Sequence, residues 1–435
     1  MTTNINTREL VLDLLLEVNE NGQYSHLALR TVLEKYQYLE KTERAFITRV
    51  TEGTLERMIE LDYIINGASK VKVKRMKPLI RNLLRMSVYQ IFYMDSIPDS
   101  AVCNEAVKLA KKRGFGGLSG FVNGVLRTIV REKKNVKYPD IRTEPLKYLS
   151  VRYSMPEWIV GQWIKDYGYD VTEGLLQEFL KDRPITIRTN TAMVTPQELR
   201  EHLQQQGVEV TPIPKLDYAF SIKGFDHLTE LDTFNKGEFY VQDISSMMVA
   251  QTASPEKDSY VIDVCAAPGG KSTHLAEMLM GTGMVEARDL TDYKVFFIQE
   301  NMQRHHLTNM KAVCMDATIR DEASVGKADV LICDLPCSGL GVMGKKNDIR
   351  YKMTREKQLE LVELQRKILD TVWDYAKPGG TIIYSTCTIH AGENEENVAW
   401  LLKKYPELEL VSMEQMLPGE EWNDGFFIAK LKRKG

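Results

Sequence analysis

No stretch of this 435-residue chain stays apolar for the length a membrane crossing needs. The first residues, Met1-Thr2-Thr3-Asn4-Ile5-Asn6, lack the basic and apolar regions of a secretory leader, so a cytoplasmic location is expected. Cysteine is scarce. The six cysteines form no CxxC pair and no framework spacing, which argues against a zinc site and a disulfide scaffold and fits a reducing compartment. No metal is therefore expected. The dinucleotide fingerprint G-x-G-x-x-G is missing, and so are internal repeats and low-complexity tracts. Strand-like alternation is nearly absent before residue 135. What is present, 43% hydrophobic and 27% charged residues, is enough to bury a core, and the length calls for two or three domains.

The net charge of −3 conceals an asymmetry. Residues 1–137 carry +8 and the remainder −11. The excess gathers in three groups: Lys70, Lys72, Lys74, Arg75, Lys77, Arg81 and Arg85; Lys108, Lys111, Lys112 and Arg113; Arg127, Arg131, Lys133, Lys134 and Lys137. Any one group reads as a solvated helix face. Three in one helical region point to a polyanion such as RNA or DNA.

Residues 1–135 read as an all-α domain. Val11, Leu14, Leu15 and Val18 have helical spacing, as do Leu79, Ile80, Leu83, Leu84, Val88 and Ile91. Residues 136–179 read as a helical linker and 180–235 as a small α/β subdomain. In the latter Thr195 and Glu198 form a capping box ahead of a helix, and a strand Val208–Val210 leads to Pro212-Ile213-Pro214. Residues 236–435 alternate strands with helices, the pattern of a doubly wound, mainly parallel sheet. Its strands are expected at Tyr260–Val264, Met284–Asp289, Lys311–Asp316, Val330–Cys333 and Thr381–Tyr384. A helix before the last of these is expected to stop at Pro378-Gly379-Gly380.

Three blocks carry chemistry. The turn Asp263-Val264-Cys265-Ala266-Ala267-Pro268-Gly269-Gly270-Lys271-Ser272 follows a strand and opens a helix. Its small residues admit close backbone approach, and the helix start offers unpaired N–H groups. Gly270-Lys271-Ser272 matches the end of a P-loop, but Cys265 stands where that motif needs glycine. Asp289 and Asp316 close the next two strands, where acids take ribose hydroxyls and an adenine amino group. Each alone reads as a solvated strand end. With the glycine turn they describe an adenosine site without a diphosphate grip, which suits S-adenosylmethionine. The other blocks, Asp334-Leu335-Pro336-Cys337-Ser338-Gly339 and Ser385-Thr386-Cys387-Thr388, each follow a strand, so two thiols far apart in sequence face one crevice. A free cysteine is usually a small buried apolar residue. That reading holds for Cys103, Cys265, Cys314 and Cys333, while the strand-end settings favour chemistry for Cys337 and Cys387. A Cys–His hydrolase built on Cys387 and His390 leaves Asp334 and Cys337 unexplained.

These blocks resemble the RNA cytosine-C5 methyltransferase family, as does Val241-Gln242-Asp243-Ile244-Ser245-Ser246. The front third, through Ser100–Val107 and Phe121–Arg127, resembles the RNA-binding NusB family. The combination is similar to a subgroup acting on 16S ribosomal RNA. The resemblance implies a NusB-like all-α front, an RRM-like middle and a Rossmann-like methyltransferase domain that uses S-adenosylmethionine. It implies that Cys387 attacks C6 of cytosine and that Cys337 assists release. Asp334 holds the N3/N4 edge, and Lys271 contacts the base or favours the thiolate. The cofactor set it implies is Cys265, Ala266, Ala267, Pro268, Gly269, Gly270, Lys271, Asp289, Asp316 and Asp334. The partner it implies is 16S rRNA or a small-subunit precursor, the target cytosine 967, and a monomer is the expected state. Lys345, Lys346, Arg350 and Lys352, beyond the Cys337 loop, are candidates for RNA contact or for a solvated loop. The chain departs from the family at Asn347, where a proline is usual, and at Arg304-His305-His306-Leu307. Another RNA such as tRNA, an amino-group methyltransferase and a catalytically silent RNA-binding factor are the alternatives. An amino-group enzyme wants an Asn/Asp-Pro-Pro-aromatic block where Leu335-Pro336-Cys337 stands.

Overall fold

In a computed structural model, residues 5–419 and 423–435 are described. The chain divides into two compact units: residues 1–180 with 343–352, and 181–342 with 353–435.

The first unit is helical, with no strand among its described residues. Its axis is the helix Pro78–Tyr93. Pro78 at the first position costs no hydrogen bond, and every residue from Asn82 through Ile91 is buried, so the helix is covered all round. The polar residues it buries are matched. Arg85 reaches Asp62 through two 2.7 Å hydrogen bonds, and Asn82 donates to Glu20. Helices Asp99–Lys112 and Ser119–Glu132 pack alongside, and three shorter ones cover Pro145–Arg152, Glu157–Tyr167 and Tyr169–Glu178.

The segment 343–352 belongs to this helical unit, which corrects the expectation for two of its cations. Arg350 is fully buried and donates to the carbonyl oxygens of Met343, Ser154 and Glu56. Lys352 pairs with Asp348 and lies over the Tyr24 ring. Their partners are internal, so Arg350 and Lys352 hold the unit together; Lys345 and Lys346 are exposed. The basic groups divide in the same way. Arg81 and Arg85 are tied to Glu20 and Asp62, while Lys70, Lys72, Lys74, Arg75 and Lys77 are exposed.

The second unit begins with a four-stranded antiparallel sheet: β1 (Ile185–Thr189), β2 (Glu209–Ile213), β3 (Leu216–Lys223) and β4 (Phe239–Val241), in the order β2-β3-β1-β4. The helix Pro196–Gln205 carries the expected capping box. Pro212 lies inside β2, which is tolerated because β2 is an edge strand.

The larger sheet holds β5 (Tyr260–Asp263), β6 (Met284–Asp289), β7 (Met310–Cys314), β8 (Ala328–Asp334), β9 (Ala376–Thr386), β10 (Leu408–Met416) and β11 (Phe426–Arg433). Their order is β10-β11-β9-β8-β5-β6-β7, with β9 through β7 mutually parallel and β11 antiparallel to both its neighbours. Alternate residues serve two cores. Leu331 and Ile382 pack on one face, Val330, Ile332 and Ile383 on the other. The helix Arg355–Val372 stops short of Pro378-Gly379-Gly380, which instead lies in β9. The glycines suit a register shift against β8: Gly379 has φ +80°, and a Cβ on Gly380 would meet the Ala328 carbonyl oxygen at 2.9 Å. Cys314 is exposed rather than buried, because it ends the edge strand β7.

Candidate active site

Strand order reverses at β5 and β8, and a crevice opens there beyond the carboxyl ends of the strands, the usual ligand position in such sheets. The glycine turn is stitched across it. Val264 N–H donates to the Ile332 carbonyl and Ala266 N–H to that of Arg288, fixing the turn to β8 and β6. Gly269 takes φ +106°, which favours glycine, and starts the helix Gly270–Met278. A Cβ on Gly270 would stand 3.0 Å from the Tyr240 ring. Behind the turn Ser272 Oγ donates to the buried Asp263 carboxylate at 2.5 Å, and burial pushes that carboxyl up to about 7.

Four of the expected residues converge. Lys271 Nζ stands 2.7 Å from Asp334 Oδ2, and Ser385 Oγ donates to Asp334 Oδ1 at 2.8 Å. Burial opposes the charge on Lys271, but Asp334, with Asp263 and Cys387 behind it, raises the ammonium above its ordinary pKa, so Lys271 stays a cation. Cys337 Sγ and Cys387 Sγ lie 3.3 Å apart. The hydrogen bond to Cys387, then burial and the Glu393 charge, hold the Cys337 thiol well above its usual range.

A cleft of about 230 Å³ is lined by Ala266, Ala267, Pro268, Gly270, Lys271 and Cys387, and by Gln242, Ser246 and Phe426 opposite. The glycine turn fits an adenosyl cofactor in shape: a Cβ on Gly270 would crowd the Tyr240 ring, which also lines the cleft, at the start of a helix. Asp289 is 3% exposed and accepts from Ala267 N–H, Leu290 N–H and Lys294, so it also braces the loop. Asp316 is the outlier. It lies two residues past β7, accepts from Thr318 N–H, and borders a separate hollow with Arg288 and Tyr375. Cys265 faces inward, its thiol pushed up chiefly by burial, and contributes backbone to the loop.

Sequence reasoning passes over Asp263, Ser385, Gln242 and Phe426 as site residues, and also Glu393 and Asn394. Asp263, Ser385 and Gln242 stand inside quoted motifs. Glu393 reads in sequence as one more acid at a helix start, yet it is fully buried.

A parallel sheet with its reversal point at a glycine turn, acids at successive strand ends and a strand pair closing the edge defines a Rossmann-like methyltransferase fold. Residues 250–432 match the family described as 16S rRNA methyltransferase RsmB/F, 5–131 the NusB family, and 155–226 the ferredoxin-like domain of RsmF/B-like methyltransferases. The chain is 36% identical to the probable ribosomal RNA small subunit methyltransferase B of Bacillus subtilis, over 98% of this chain and 99% of that one. It is 28% identical to the ribosomal RNA small subunit methyltransferase B of Photorhabdus laumondii over the full length of both. The chain belongs to the ribosomal RNA small subunit methyltransferase B family. Among solved structures it is similar to the crystal structure of PH0851, with a TM-score of 0.83, 26% identity and full coverage of both chains. NSun6 from Pyrococcus horikoshii with SFG shares the fold, with a TM-score of 0.58, 22% identity, and coverage of 64% of this chain and 98% of that one.

Proposed function

We propose that this chain transfers a methyl group from S-adenosylmethionine to C5 of a cytosine in 16S rRNA, cytosine 967 by its resemblance, as a cytoplasmic monomer. The observation that carries the reading is the 3.3 Å pair of thiols beside the Lys271–Asp334 pair, at the mouth of the glycine turn. When bound, the cofactor supplies an electrophilic methyl and leaves as a neutral thioether.

Cytosine C5 is a weak nucleophile. The Cys387 thiolate adds to C6, and the displaced electron pair makes C5 able to attack the methyl. Asp334 accepts from the N4 amino group, and Lys271 holds that carboxylate in place. The Cys387 sulfur is then bonded to carbon and no longer accepts a hydrogen bond. Cys337 releases its own proton to solvent and takes the C5 proton. The C5–C6 double bond re-forms and Cys387 departs as thiolate. The base enters such a pocket unpaired or flipped out. The basic helical unit supplies attraction for the RNA backbone.

The test is incubation with unmodified 16S rRNA and labelled S-adenosylmethionine, followed by mapping of the label. Label in 5-methylcytosine supports the reading. Label confined to tRNA moves the substrate and leaves the chemistry. Absence of 5-methylcytosine sinks it.

A further inference from the structure

The two cysteines are held on separate loops, after β8 and after β9, and a shared proton or sequential action requires those loops to keep register. The structure supplies the means in two adjacent residues. Glu393 accepts from Ser338 N–H at 2.8 Å and from Ser338 Oγ at 2.5 Å, so it grips the residue that follows Cys337. Its carboxylate also accepts from Gln365 Nε2 at 3.0 Å, and the same amide donates to the Pro336 carbonyl at 2.9 Å. Cys337 is thus bracketed on both sides. Asn394 does the equivalent for the other loop. Its Oδ1 accepts from Thr386 Oγ1 at 2.6 Å and its Nδ2 donates to the Thr388 carbonyl at 3.1 Å, the residues on either side of Cys387. The two brackets are joined, because Ser338 Oγ and Thr388 Oγ1 lie 2.8 Å apart. All of Glu393, Asn394, Ser338, Thr386 and Thr388 are buried, at 2% exposure or less.

We propose that Glu393 and Asn394 are positioning residues that clamp the two cysteine loops to one another, Glu393 serving the release cysteine and Asn394 the attacking one. The proposal rests on the cysteine chemistry given above. Neither residue lines the cleft, so neither is a binding residue. A purely architectural role is the competing account, since a buried carboxylate with three donors about it also stabilises a fold. The two accounts differ in sign. Architecture predicts the same loss for both residues. A clamp with one jaw per cysteine predicts opposite changes in the covalent protein–RNA intermediate. The Glu393 carboxylate, with His390 Nδ1 3.3 Å from it, is also among the charges that raise the release thiol.

The experiment measures three things on the full chain with 16S rRNA and S-adenosylmethionine: turnover, the fraction of enzyme covalently bound to RNA on a denaturing gel, and thermal stability. Glu393→Gln keeps the volume but replaces one acceptor by a donor facing the Ser338 N–H. It is expected to lower turnover about a hundredfold while the trapped adduct accumulates. Asn394→Ala is expected to lower turnover comparably with the adduct diminished. Asn394→Asp, which keeps the acceptor for Thr386 and loses the donor to Thr388, is expected to fall between. Equilibrium binding of RNA and cofactor should be unchanged in all three. Cys337→Ala runs in parallel. If it forms no adduct, the cysteine chemistry fails and takes the clamp with it. If it does, and Glu393→Gln and Asn394→Ala either behave as the parent or lose adduct and turnover together in step with melting temperature, the clamp alone is overturned.

Discussion

Glu60 and Asp334 are both acids drawn in among cations and hydroxyls, one in each unit, and they differ in how their surroundings end. Glu60 is fully buried, accepts from the hydroxyls of Tyr93 and Tyr138, and pairs with Arg57 and Arg152 at 3.5 and 3.4 Å. Those partners close round it. Asp334 holds Lys271 and Ser385 and keeps its side chain 23% exposed at the crevice. A buried charge fully enclosed by partners organises a fold, and one with an open side remains available to a ligand. The same contrast separates Arg350, spent on three internal carbonyl groups, from Lys271, whose one ion-pair partner is itself a candidate for holding the base.

Substitutions can sharpen or break that division. The largest effects belong to the open side. Cys387→Ala should abolish turnover and adduct together. Cys337→Ala should abolish turnover but leave a covalent protein–RNA species on a denaturing gel; normal product release from it would overturn the assignment of roles. Next come the ion-pair partners. Lys271→Met and Asp334→Asn should each lower kcat by about 10²- to 10³-fold with little change in melting temperature, measured by single-turnover methyl transfer. Arg350→Met should do the reverse. Loss of charged hydrogen bonds to three buried carbonyls should cost roughly 3 kcal/mol of stability in urea unfolding, while the protein that remains folded keeps its specific activity. A hundredfold loss of activity at full stability would break the comparison. The smallest effect is expected on the surface of the helical unit. Changing Lys70, Lys72, Lys74, Arg75 and Lys77 to Gln should weaken RNA binding several-fold at moderate salt. It should also flatten the dependence of log Kd on log salt by about 0.7 for each phosphate no longer neutralised. Unchanged affinity would dispose of that patch as an RNA surface.

The legibility of the chain follows the same division. Met284–Asp289 runs as a strand over the residues expected, and the turn from Asp263 to Ser272 lies where its glycines place it, because apolar runs and glycine punctuation are local properties. The strand expected at Val208–Val210 falls at the start of β2, which runs on through Pro212 to Ile213, while its hairpin partner β3, Leu216–Lys223, escapes the sequence because it alternates imperfectly. Pro378-Gly379-Gly380 is good stop chemistry for a helix and serves equally at a register shift in a strand, and only the neighbouring Ala328 carbonyl decides between them. At the site, the cysteines are visible because both follow strands. Glu393 and Asn394 are not, since a buried acid and an exposed one are written with the same letter. Arg350 is misread for the same reason: four basic residues in a loop look alike until one of them finds carbonyl groups.

The excursion at 343–352 has a bearing on how the protein divides. The backbone passes between units three times, near residues 180, 342 and 352, so a protease that nicks any one of these places leaves the halves joined. A fragment stopped at residue 180 would carry ten fewer residues than the unit it is meant to represent, and the carbonyl groups of Glu56 and Ser154 would lose the guanidinium that Arg350 brings to them. Exchanging the front end for that of a relative is, for this chain, a graft of two separate pieces of gene rather than one.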